Sequence, residues 1–195
     1  TGNGGSSTVG TYQINTGNEI EVPFTGWGAG TWSSGTWGTS GSTLAPMRLW
    51  SQANFGEDLF FVARGGALYY WDASSGVTSR GVLVSSLGGA SQVPTVANIA
   101  FVSDIFRFAF CFGANPIGSS TLDPMLIRWS DQEDISDWNP TATNQAGSLS
   151  LSEGTEIIQA IQARQEVLVW TDAALYGLQY LGAPIVWGAT LLGSN

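Results

Sequence analysis

From residue 45 onward the chain breaks into short apolar runs separated by turn residues, and no stretch keeps a 3.6-residue period. The pattern predicts strands over 46–50, 58–64, 67–72, 81–85, 98–103, 106–112, 125–130, 148–151, 156–163, 166–171, 174–180 and 184–190. The fold class is therefore all-β. Three runs end alike, in Trp followed by small polar or acidic residues: Leu68-Tyr69-Tyr70-Trp71-Asp72, Leu126-Ile127-Arg128-Trp129-Ser130-Asp131 and Val167-Leu168-Val169-Trp170-Thr171-Asp172. Trp71, Trp129 and Trp170 are separated by 58 and 41 residues, close to the roughly 40–50 residues of a four-stranded propeller blade with loop insertions. A shorter echo, Met47-Arg48-Leu49-Trp50-Ser51, lies about half a blade ahead of Trp71. The prediction is a β-propeller-like domain over 45–195, with the Trp rings filling wedges between blades. The acidic or hydroxyl residues after them would accept hydrogen bonds from turn amides.

Residues 1–44 form a different block, dominated by Gly, Ser, Thr and Trp. Tyr12, Ile14, Ile20, Val22 and Phe24 alternate with polar residues around Thr16-Gly17-Asn18, which predicts a β-hairpin. Trp27, Trp32 and Trp37 then recur every five residues between glycines, a spacing of neither helix nor strand. It suits an irregular segment whose indoles pack on a neighbouring surface or subunit, or form a sugar-stacking platform. The first and last residues carry no recognisable terminus signal, so the chain is expected to be part of a longer one.

Composition narrows the chemistry. The net charge is −9, with six Arg and neither Lys nor His, and charged residues make up only 11% of the chain. Nucleic-acid binding by phosphate neutralisation needs clustered cations that this sequence lacks. An acidic wall can instead let DNA slide past without adhering, because its field repels phosphate. Without His or Lys, Ser-His-Asp and Cys-His hydrolysis, His-based zinc sites, Schiff-base chemistry and Walker-type phosphate loops are excluded for this portion. No apolar run is long enough for a membrane-spanning helix.

The densest acidic stretch, Ser130-Asp131-Gln132-Glu133-Asp134-Ile135-Ser136-Asp137-Trp138, suggests a cation loop or a pair of glycosidase carboxylates. Its spacing fails the EF-hand pattern, and neighbouring loop carboxylates rarely face one cleft, so a solvated inter-strand loop is the expectation. Cys111 lies inside an apolar run and is expected to be a small buried hydrophobe. Arg48, Arg107, Arg128 and Arg164 border strand-like runs, where buried pairing with Asp or Glu is expected. No residue is assigned a catalytic, cofactor-binding or metal-binding role.

Three segments carry a resemblance: Arg48-Leu49-Trp50-Ser51-Gln52-Ala53-Asn54-Phe55-Gly56-Glu57-Asp58-Leu59, Ile127 to Asp134 through Trp138-Asn139-Pro140, and Val169-Trp170-Thr171-Asp172-Ala173-Ala174-Leu175-Tyr176. With the preceding Gly26-Trp27-Gly28-Ala29-Gly30-Thr31-Trp32 block, they resemble phage tail proteins of the nozzle or tail-tubular B type. The resemblance implies a structural virion protein of short-tailed phages with a propeller-like domain, assembled as a homo-oligomeric ring, usually a hexamer. Such a ring meets the tail adaptor and connector, and its outer face can meet tail fibres. It continues the DNA-ejection channel, through whose lumen the genome passes without specific binding. The alternatives are a carbohydrate-binding or glycosidase propeller, in which Trp27, Trp32 and Trp37 stack on sugar while Asp131 or Glu133 acts, and a secreted adhesin module that binds protein.

Overall fold

A computed structural model describes residues 49–194, which belong to one compact unit beginning at Arg48. The chain is all-β over these residues. Twelve strands form three four-stranded antiparallel sheets, each a meander whose strands are hydrogen-bonded in sequence order. The first sheet holds β1 (Trp50–Phe55), β2 (Asp58–Ala63), β3 (Leu68–Trp71) and β4 (Val82–Leu83). The second holds β5 (Ala97–Val102), β6 (Ala109–Ala114), β7 (Asp123–Trp129) and β8 (Gly147–Ser150). The third holds β9 (Ile157–Gln162), β10 (Val167–Thr171), β11 (Ala174–Tyr180) and β12 (Trp187–Ser194).

The middle sheet is covered on both faces, and β6 shows how its sequence dictates this. Successive strand residues point to opposite faces. Phe110 and Phe112, with Phe108 just ahead of the strand, enter one apolar cluster together with Val167, Val169 and Leu178 of the third sheet. Ala109, Cys111 and Ala114 enter the other, against Phe60, Val62 and Leu68 of the first sheet. One strand thus carries large rings on one side and small side chains on the other. On the small side the backbones come close enough for polar ties: the Ser51 hydroxyl donates to Ala100 O at 2.8 Å and accepts from Ala100 N at 3.2 Å.

The three sheets are not parallel slabs. Packed sheets sit about 10 Å apart, so the first and third would be about 20 Å apart, farther than one pair of side chains reaches. Yet Arg64, just past β2, meets Glu156, just ahead of β9, at 3.2 Å. The first and third sheets therefore converge at one edge of the middle sheet. The β2–β3 turn supports the same edge: Gly65 N–H donates to Ala97 O and Ala97 N–H to Gly66 O, each at 2.9 Å. Gly65 has φ 72° in this turn, and a Cβ at Gly66 would stand 2.8 Å from Ala63 O. Glycine at both positions lets the turn close and lie against β5.

Most of the predicted strand 46–50 lies outside the described residues, and the first described strand runs on past Trp50. It spans Trp50–Phe55 because Gln52-Ala53-Asn54 alternates across the sheet opposite Phe61, Phe60 and Leu59, a polar-looking strand whose outward face reads like a loop. The sixth strand starts late, since Arg107, at φ 54°, belongs to the turn between β5 and β6.

Gly147 of β8 pairs with Trp129 of β7, and a Cβ there would stand 2.5 Å from Trp129 Cζ2 and 2.8 Å from Cε2. The indole lies over the glycine and donates from Nε1 to Gln145 O at 2.8 Å. Gly147→Ala is expected to push Trp129 out of its packing and cost about 1–3 kcal/mol, as overpacking does. Urea unfolding would register it as a lower midpoint at unchanged slope.

Candidate functional site

The candidate tryptophans do not share one environment. Trp27, Trp32 and Trp37 lie outside the described residues, as does the predicted hairpin of residues 12–24. Trp129 ends the third strand of its sheet and is buried in the cluster between the second and third sheets. Trp71 also ends a third strand, but alternation with buried Leu68 places it, half-buried, on the free face of the first sheet. Its indole N–H donates to Ser79 O at 3.0 Å. Trp170 lies on a second strand, β10, where alternation with buried Val167 and Val169 turns it to the free face of the third sheet. A common sequence ending therefore serves three positions in the meanders.

The residues after these tryptophans do share a role. Asp72 Oδ1 accepts from Ser74 N at 2.8 Å. Asp131 Oδ1 accepts from Gln132 N at 2.9 Å and Gln145 N at 2.7 Å. Asp172 binds Thr155 through its backbone N–H at 2.7 Å and its hydroxyl at 2.6 Å, tying the β10–β11 turn to the segment entering β9. These bonds hold the Asp172 carboxyl below the usual carboxylate range, the Thr155 hydroxyl being the largest cause. Hydrogen bonds from Ser74 lower Asp72 in the same way.

The same use of carboxylates runs through the acidic loop after β7. Asp134 Oδ1 accepts from Ser136 N at 2.8 Å and the Ser136 hydroxyl at 2.6 Å. Asp137 accepts from Asn139 N at 3.1 Å and from Asn144 Nδ2 at 2.8 Å. Three Asp side chains are thus committed to amides of their own loop, Asp134 and Asp137 as Asx turns, and Glu133 is exposed at φ 58° with its N–H donated to Arg107 O. Among the described residues no group of three or more Cys, Asp or Glu is placed to hold a metal ion. No helix of the described residues is long and apolar enough to cross a membrane.

The arginines depart from the expectation of carboxylate pairing. Arg128 is buried at 1% exposure and donates to three backbone carbonyls: Asn115 O at 3.2 Å from Nη1, and Gln92 O at 2.6 Å and Trp138 O at 3.2 Å from Nη2. Its partners are carbonyls just past β6, in the connection into β5 and in the loop after β7. Burial holds its pKa below the ordinary guanidinium value. Arg107 is exposed and stands 5.7 Å over the Phe55 ring. Arg164 is exposed at the β9–β10 turn, in an open groove with Gln165, Glu166, Gln179 and Tyr180. Arg48 lies outside the described residues. The salt bridge among the described residues is formed by Arg64, which the sequence pattern does not single out. Cys111 is fully buried and unpaired, and burial pushes its thiol pKa up.

Exposed apolar side chains lie in turns, such as Ile105 and Ile117 of the middle sheet, and on the outer faces of the two end sheets. On the first, Trp50 is 59% exposed, its ring 6.1 Å from Phe61, and Phe61 stacks on Tyr69 at 5.5 Å. On the third, Ile161 and Leu192 are 51% and 50% exposed beside Leu168, Trp170 and Leu175. Sequence reading missed these faces as a pair, although the uncharged alternation of both strand sets carries the signal. Comparison of the chain with protein-family models, with curated proteins and with solved structures finds no match.

Proposed function

We propose that this chain is a structural module of a phage tail nozzle: three successive blades of a propeller-type domain in a homo-oligomeric ring that extends the DNA-ejection channel and contacts the tail adaptor. Its role is assembly and passage of DNA, with no catalysis. The observation that carries the reading is the repeat of three four-stranded meanders, stacked face to face and drawn together at one edge by the Arg64–Glu156 pair. Repeated antiparallel meanders around a common line are the blade arrangement. A net charge of −9 without Lys suits a wall along which DNA slides. The commitment of Asp131, Asp134 and Asp137 to loop amides favours this reading over a glycosidase, whose carboxylates must face a substrate.

Electron microscopy of the native particles, with the chain located by a specific antibody, tests it. The expected result is density for the chain around the distal channel of the tail. Its absence from purified, infectious particles overturns the assignment.

A further inference from the structure

We propose that the outer edge of β12 is a pairing edge, and that two copies of this chain join through it, β12 antiparallel to β12, merging their third sheets into one continuous sheet. The inference rests on the sheet topology and is independent of a place in a tail. The contact uses one strand of each copy and leaves the other surfaces for a ring.

The last strands of the three sheets differ in how they present an edge. A strand at a sheet edge offers a row of unpaired N–H and C=O groups, and proteins blunt it with shortness, charge, proline or bulges. β4 has 2 residues and β8 has 4, whereas β12 has 8. Trp187-Gly188-Ala189-Thr190-Leu191-Leu192-Gly193-Ser194 carries neither charge nor proline. Its irregularity against β11 falls at Leu192, between the pairs Tyr176–Leu191 and Leu175–Gly193, so the stretch Trp187–Leu191 stays regular. Among the described residues nothing pairs with the other side of β12. Thr190 to Ser194 are all exposed, Leu191 at 46%.

Hydrogen-bond alternation identifies the open groups. Leu181 N–H donates to Val186 O at 2.9 Å, closing the hairpin between β11 and β12. Bonded and non-bonded pairs alternate from there, so Tyr180–Trp187, Leu178–Ala189 and Tyr176–Leu191 are non-bonded pairs. The main-chain groups of Trp187, Ala189 and Leu191 therefore point away from β11, to the open edge. An antiparallel pair centred on Ala189 engages all three residues of each copy, because Trp187 then stands opposite Leu191 and Ala189 opposite Ala189. A shift along the strand leaves some of them without a partner. This match of the edge to its own reverse selects a second copy, and an isologous contact needs no other surface. No like charges meet, because the run has none. The side chains agree with this register: the half-exposed Leu191 is covered by Trp187 of the other copy, and the small Gly188 and Ala189 lie where the copies come closest.

Sedimentation velocity and oxidative cross-linking of the full chain test this. Sedimentation is expected to show a species of twice the 20.5 kDa mass of one chain. Thr190→Lys, which sets a charge on an exposed position of the edge, is expected to weaken association at least about 10-fold. Its urea midpoint should stay unchanged, which separates loss of contact from misfolding. Cys111 is fully buried, so a thiol introduced at the surface can be oxidised selectively with copper phenanthroline. Ala189→Cys sets two thiols opposite each other at the centre of the pair, within reach of a disulfide, and is expected to give a covalent two-copy product. Ser148→Cys, on β8, is expected to remain a single chain. A monomer at all concentrations overturns the proposal, as does a species that grows beyond two copies with concentration. A two-copy species that survives Thr190→Lys, or in which Ala189→Cys fails to cross-link, also overturns it, by placing the contact on another surface. A β12 pair from a chain absent from tails would refute the tail assignment alone, and a monomer found in tails would refute this pairing alone.

Discussion

Arg128→Met is expected to destabilise the fold by about 3–5 kcal/mol, although methionine replaces the apolar stem of the buried side chain. The guanidinium donates to Asn115 O, Gln92 O and Trp138 O, which belong to the end of β6, the connection into β5 and the loop after β7. Methionine fills the volume but leaves these carbonyls without that donor, and each buried unsatisfied group costs about 1–3 kcal/mol. Not all three penalties need add, because waters can reach a carbonyl at a segment end. Thermal unfolding should show a midpoint lower by about 10–15 °C for a unit of this size. Arg128→Lys is expected to fall between the two, since one ammonium cannot fork to three separate acceptors. Arg164→Met, at an exposed turn, should stay within about 0.5 kcal/mol of the original chain. An equal loss at both arginines would mean that total charge, and not the three carbonyls, holds these segments.

The contrast between these two arginines marks what the sequence made legible. Alternation and turn residues located the strands because each covers local information: Val167-Leu168-Val169-Trp170 between Arg164-Gln165-Glu166 and Thr171-Asp172-Ala173 becomes β10 between two hairpin turns. The turn role of Asp72 was legible for the same reason, because an Asx turn needs only residues two positions apart, whereas Asp131 and Asp172 reach Gln145 and Thr155, distant in the chain. Long-range partners were not legible. Nothing near Arg128 in the chain says that Gln92 and Trp138 will offer their carbonyls, or that Arg64 will meet Glu156. The Trp repeat misled in one respect. A shared ending implied equivalent positions, whereas Trp129 falls inside the stack and Trp71 and Trp170 fall on its two free faces. One residue of register decides which face a strand side chain occupies, and a motif at a strand end does not encode that register.

Phe110→Ala is expected to cost about 3–5 kcal/mol, and Cys111→Phe, one residue away, to be destabilising for the opposite reason. Phe110 is fully buried where the second and third sheets meet, with ring centroids 5.0 Å from Trp187, 5.9 Å from Phe112 and 6.2 Å from Trp129. Truncation leaves a cavity walled by rigid rings, which collapse into it poorly, so the cost belongs at the high end for Phe→Ala. Phe110→Leu keeps most of the volume and should recover more than half of the loss. Cys111 points to the other face of β6, among Ala97, Ala100, Ala109 and Ala114, where the Ser51–Ala100 bonds hold β1 close to β5. A ring there cannot fit without parting those strands, and overpacking of this kind costs about 1–3 kcal/mol or more. The double change Phe110→Cys, Cys111→Phe keeps composition constant while exchanging the two faces. Its loss should at least match that of Phe110→Ala, measured by urea unfolding. A double variant as stable as the original would mean that the middle sheet does not distinguish its neighbours, and that the large rings on one face of β6 and the small residues on its other face do not shape the stack.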